Sequence, residues 1–245
     1  MQAPKRRDTR RSSPTLPRWP RWAWIAIGAG AVVIAVVVIV LATSGGSSGP
    51  SLPLAPLSTV GPLKAAPPPG PAGPEGVPIP RGPALAPAGY LKPGETLDGI
   101  NCGPVEMLTY HIHAHLTIFV QGSARQVPYG IGIAPPRQVQ QTGAGPFVAS
   151  GSCFAWLHTH AADGIVHIES PSTKTYTLGD FFDIWHQPLT RNGVGPERGR
   201  VTAFYNGKVF TGNLRDIPLL KHAQIQLDVG TPLIAPEQIT FPNGL

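Results

Sequence analysis

The chain has 245 residues, among them 30 prolines and 29 glycines, so much of it is not regular structure and the folded part is smaller than the length suggests. Its formal net charge of +6 is local: of 19 basic and 13 acidic residues, seven and one respectively precede position 22, leaving 12 of each in the remainder. That neutral remainder excludes the basic stripe a duplex-binding surface needs, and no nucleic-acid partner is expected.

Residues 1–21 are a basic tail in which Lys5, Arg6, Arg7, Arg10, Arg11, Arg18 and Arg21 face only Asp8. Residues 22–42 then run without a charge, AWIAIGAGAVVIAVVVIVLA from Ala23 onward. Twenty helical residues at about 1.5 Å each match a hydrocarbon core of roughly 30 Å, so the stretch predicts one transmembrane helix. Trp19, Trp22 and Trp24 stand where amphipathic rings favour the headgroup zone, and the preceding arginines predict a cytoplasmic N-terminus with everything after the span outside the cell membrane. The apolar part of a cleaved signal peptide runs to about 7–15 residues, so an uncleaved signal-anchor is the expectation. Residues 43–98, which include TSGGSSGPSLPLAP and APPPGPAGPEGVPIPRGP, are too poor in burial-driving side chains to offset the entropy of folding and read as a disordered proline- and glycine-rich tether.

The folded domain is expected over 99–235, followed by a C-terminal tail over 236–245. Thr109 to Val120 alternates, with Tyr110, Ile112, Ala114, Leu116, Ile118 and Val120 facing the core and His111, His113, His115, Thr117 and Phe119 the other way. Gln121-Gly122-Ser123 turns into a short strand, Ala124 to Pro128. Residues 129–150 look like a long irregular excursion. Phe154 to His160 and Ile165 to Glu169 read as a hairpin about Ala161-Ala162-Asp163-Gly164. Pairing His160 with Ile165 puts His158 opposite His167, so Trp156, His158, His160, His167 and Glu169 share one face, while Ala155, Leu157, Val166 and Ile168 form an apolar face.

Thr177 followed by Asp180 has capping-box spacing, and Leu178, Phe181, Phe182 and Trp185 fall at helical spacing before Pro188. Asn206-Gly207 joins Arg200–Tyr205 to Lys208–Thr211 in a second hairpin, and His222 to Val229 is a last strand with Ala223, Ile225, Leu227 and Val229 inward. The order predicts an α+β domain: a mainly antiparallel sheet with one short helix, β-grasp-like with an added hairpin; a β-sandwich of cupredoxin type is the alternative.

Six of the eight histidines lie within 111–115 and 158–167. Strand residues two apart point the same way about 6.7 Å apart, so His-x-His is a natural half-site, and a third imidazole across a hairpin gives three nitrogens with a position left open. His158, His160 and His167 are the core candidate ligands for a transition metal ion, zinc or copper. His113 with a neighbour, His111 or His115, either assists or holds a second ion, because His111 and His115 stand about 13 Å apart on a straight strand. The competing reading has the six imidazoles lining a polar sheet face without a metal, or sensing pH. Glu169 is open between fourth ligand, acceptor for a ligand's N–H, and surface carboxylate; in an enzyme it is the candidate proton acceptor. Asp163 is expected to bond its own turn, His186 and His222 to be structural, and Met107 is a weak soft-ligand candidate. Cys102 and Cys153, the only cysteines, predict a disulfide outside the membrane; Cys153 as a copper thiolate falls on the face opposite His158 and His160.

The run CFAWLHTHAADGIVHIESP, preceded by YHIHAHLTIFV and followed by YTLGDFFDIWHQPL, resembles a family of prokaryotic membrane-anchored or exported proteins to which no activity attaches. The resemblance covers roughly 100–230 and implies that the histidine stretches form one unit. Three functions stay open: a displayed metal-binding domain, a metal-dependent enzyme of hydrolase or oxygenase type using the same ion, and a metal-free adhesion or assembly module. No nucleophile motif, phosphate loop or dinucleotide fingerprint accompanies them.

Overall fold

A computed structural model describes residues 51–245. The basic tail and the span expected over 22–42 lie outside the described residues, among which no helix is long and apolar enough to cross a membrane.

The architecture is β-rich, with one short helix. An eight-stranded sheet runs in the order Leu54–Ala55, Lys208–Phe210, Val201–Tyr205, Gln224–Val229, Tyr110–Val120, Ile165–Ser170 and Leu157–His158, with Ser123–Arg125 beside Tyr110–Val120. Every pairing in it is antiparallel except that of Gln224–Val229 with Tyr110–Val120. Asn206 and Gly207 both adopt positive φ, as a tight hairpin turn between right-twisted strands requires. The helix, Leu178–Ile184, starts as the sequence predicts: the Thr177 hydroxyl accepts from the Asp180 N–H, and the Asp180 carboxylate accepts from the Thr177 N–H. Phe181, Phe182 and Trp185 are buried beneath the sheet's apolar side with Ala155, Leu157, Val166 and Ile168.

Cys102 and Cys153 are joined, Cα atoms 5.4 Å apart, at the pairing of Ile100–Gly103 with Cys153–Ala155. Closing a 51-residue separation contributes about 4 kcal/mol on a chain-entropy account.

Three expectations need correction. Within the described residues, the proline-rich stretch is not a free tether, because the compact unit runs from Leu52 to Leu245. Val77, Leu85, Ala86 and Leu91 are buried in it. Trp185 Nε1 donates to the Pro87 carbonyl at 2.9 Å, and a Cβ on Gly82 or Gly89 would stand 2.0 Å from the Ala124 carbonyl oxygen or 2.1 Å from that of Trp185. Glycine here permits backbone to lie on backbone, and proline lowers the entropy lost on ordering, so a segment with few large side chains still docks. Second, the 129–150 excursion carries a strand, Ile133–Ala134, and a hairpin, Gln138–Thr142 with Gly145–Ser150. Third, the tail after 235 is docked: Gln226 and Gln224 accept from the Glu237 and Ile239 N–H groups, and Phe241 stacks on His222. The odd-numbered face of Tyr110–Val120 is itself covered, with His113, His115, Thr117 and Phe119 all buried.

Candidate metal centre

The register places the histidines in rows across three strands. His158 opposes His167, as the hairpin reading expects, and His167 in turn opposes His113, with Glu169 opposite His111. The ladder of the hairpin stops at His158, so the expected His160–Ile165 pair does not form and His160 turns out of the strand. It still packs with the others: its ring centroid is 4.8 Å from that of His158 and 4.6 Å from that of His167.

Two groups of donors result. His158, His160, His167 and Glu169 offer ligand atoms that all lie within 4.8 Å of one another, as do His111, His113 and His167. Two donors about 2.0–2.2 Å from one tetrahedral ion stand roughly 3.3 Å apart. The separations here fit: His158 Nε2 to His160 Nε2 3.1 Å, His111 Nε2 to His113 Nε2 2.9 Å, His113 Nε2 to His167 Nδ1 3.2 Å. Glu169 Oε1 sits 3.1 Å from His111 Nε2, 3.4 Å from His167 Nδ1 and 3.9 Å from His158 Nε2.

The tautomers of His158 and His160 follow from their neighbours. His158 Nδ1–H donates to the Ala155 carbonyl at 2.9 Å, and His160 Nδ1–H to the Val148 carbonyl at 2.6 Å. A carbonyl only accepts, so each proton is on Nδ1 and each Nε2 is a bare lone pair. Two such lone pairs face each other at 3.1 Å inside the protein. They repel unless a cation lies between them, and ligating histidines are held in just this way by their second nitrogen. Burial, reinforced by the neighbouring imidazoles, drives His158 well below and His160 below the ordinary histidine range, so both are neutral and ready to ligate. Burial does the same for His113, lowered to about 3 with His167 and His111 adding to the effect. Glu169, 2 % exposed, keeps Oε2 without a hydrogen-bond partner, an orphaned acceptor that a cation would satisfy.

His167 differs. Burial works against its charge, but Glu169 on one side and Glu75 on the other hold it up at about 9. Glu75 Oε1 accepts from His167 Nε2 at 2.7 Å, leaving Nδ1 to face the cluster.

His115 belongs to neither group. It lies opposite Ile165, its Nε2–H donates to the Asp163 carbonyl at 2.9 Å, and it lines a separate cleft of about 1090 Å³ with Thr117, Arg81 and Glu237. Asp163 bonds its turn, as expected, through Oδ1 and the Ile165 N–H. His186 and His222 donate to the carbonyls of Tyr90 and Leu245, in keeping with structural roles.

Two carboxylates were not legible as site residues: Glu75, and Glu106, whose Oε1 is 3.4 Å from His160 Nε2. For Glu75 one signal existed, since it is the only acidic residue between positions 43 and 94. Comparison with known protein families, with characterised proteins and with solved structures finds no match to this chain, so the site is read from its own geometry.

Proposed function

We propose that this protein is a membrane-anchored domain, displayed outside the cell membrane, that binds a transition metal ion, zinc or copper, through His158, His160, His167 and Glu169. The observation that carries the reading is the buried pair of unprotonated Nε2 atoms on His158 and His160, 3.1 Å apart, with the carboxylates of Glu106 and Glu169 next to them at 3.4 and 3.9 Å. Imidazole nitrogens with one carboxylate suit zinc and copper better than magnesium or calcium, which prefer all-oxygen ligation. The anchor rests on the uncharged run over 22–42 and the arginines before it. Export is supported by the disulfide, which persists in oxidising compartments.

Holding the ion is favoured over catalysis with it. Four protein donors, each buried, fill a tetrahedral sphere and leave no position for an exchangeable water, and the large cleft opens beside His115 rather than on these donors.

The test is metal content. The full chain, purified in detergent from an exported compartment and dialysed against zinc or copper, is expected to retain ion that a His158→Ala, His160→Ala variant loses. Equal content in the two would remove the site. A fragment starting at 99 is the wrong material, because it lacks Glu75 and the segment that covers the donors.

A further inference from the structure

We propose that the centre holds two metal ions, with Glu169 bridging them; the proposal rests on the metal-binding reading above, adds a second ion to it, and in doing so passes His167 to the second ion and brings Glu106 to the first. A tetrahedral ion takes four ligands, yet five imidazole rings and one carboxylate crowd this face of the sheet. With the first ion in place, His111 and His113 are left with ring nitrogens 2.9 Å apart, and His113 Nε2 has a third nitrogen, His167 Nδ1, at 3.2 Å. These are separations of donors around one ion, and they form their own group.

His167 can serve only one ion, since Glu75 occupies its Nε2 and only Nδ1 faces the donors. Its 3.2 Å approach to His113 assigns it to the His111 and His113 side. The ion at His158 and His160 then completes its sphere with Glu106, whose Oε1 stands 3.4 Å from His160 Nε2. Glu169 reaches both sides, Oε1 being 3.1 Å from His111 Nε2 and 3.9 Å from His158 Nε2, while its buried Oε2 lacks any partner. A bridging carboxylate uses both oxygens, one to each ion, and two-metal sites of this kind hold their ions about 3.5–4 Å apart. One set is therefore His158, His160, Glu106 and Glu169; the other is His111, His113, His167 and Glu169.

The experiment is a zinc titration of the metal-free full chain, followed by copper(II) loading and electron paramagnetic resonance. Two zinc ions per chain are expected, falling to one in a His111→Gln, His113→Gln variant and to one in a His158→Ala, His160→Ala variant. Copper-loaded protein should show an exchange-coupled pair, and the His111→Gln, His113→Gln variant the full-intensity signal of one isolated copper. A single zinc per chain, retained when His111 and His113 are replaced, would overturn the second ion and leave the first. No zinc bound by folded protein would overturn both. Circular dichroism checks folding, and His111→Gln alone, at the partly exposed rim with 34 % of its side chain accessible, replaces the double variant if that one fails to fold.

Discussion

His167 is the residue on which the acid–base behaviour of the centre turns. Between Glu75 and Glu169 it carries a proton up to about pH 9, whereas His113 is held down at about 3 and His158 and His160 are also lowered, all by burial. A histidine whose folded pKa is raised contributes stability that is complete below its ordinary value of about 6.5 and is lost as the pH climbs through 9. Metal-free protein should therefore lose thermal stability between pH 7 and 9, and metal-loaded protein, in which an ion replaces that proton, should not; melting temperatures across that range read both. The same proton must leave when the metal enters. Calorimetry at pH 7.5 in buffers of different ionisation enthalpy is expected to show about one proton released per chain. Glu75→Gln should reduce that release and weaken binding by roughly 10–100-fold, the usual cost of removing the carboxylate behind a ligating histidine.

At the scale of the element, local chemistry decided what local chemistry can. The helix Leu178–Ile184 has only seven residues, too few to be stable alone, and depends on its capping box and on the burial of Phe181 and Phe182. Thr177→Ala should lower unfolding stability by about 1 kcal/mol in a denaturant titration, with metal content unchanged. In the hairpin around Asp163 a four-residue turn and a period of two are enough to set His158 opposite His167. The tip of that hairpin depends on more than spacing. The ladder ends before His160, and Gly164 sits at φ +86° where a Cβ would come within 2.5 Å of the Leu116 carbonyl oxygen. A contact between that turn and the neighbouring Tyr110–Val120 strand shapes it, and no window confined to the hairpin contains both partners.

For the whole molecule, the decisive feature is the cover over the histidine face. The segment from Leu52 through Leu91 buries apolar side chains against the domain and delivers Glu75 to a histidine 92 residues away. Deleting 52–98 is expected to unfold the domain or leave it aggregated, whereas a free tether could be removed without effect; gel filtration and circular dichroism of the truncated chain distinguish the two. The sequence by itself determined the alternation that puts the histidines on one side of their strands, the pairing of His158 with His167, the helix start, the short turns and the Cys102–Cys153 bond, because each depends on residue spacing or on a forced choice between two cysteines. Periodicity assigns a side chain to a face but does not say which residues on that face converge. Tertiary structure alone sorted His115 away from the cluster, aimed the ring nitrogens of His158 and His160 at each other by engaging backbone carbonyls, and brought in Glu75 and Glu106, since residue spacing within one segment does not say which distant segment it meets.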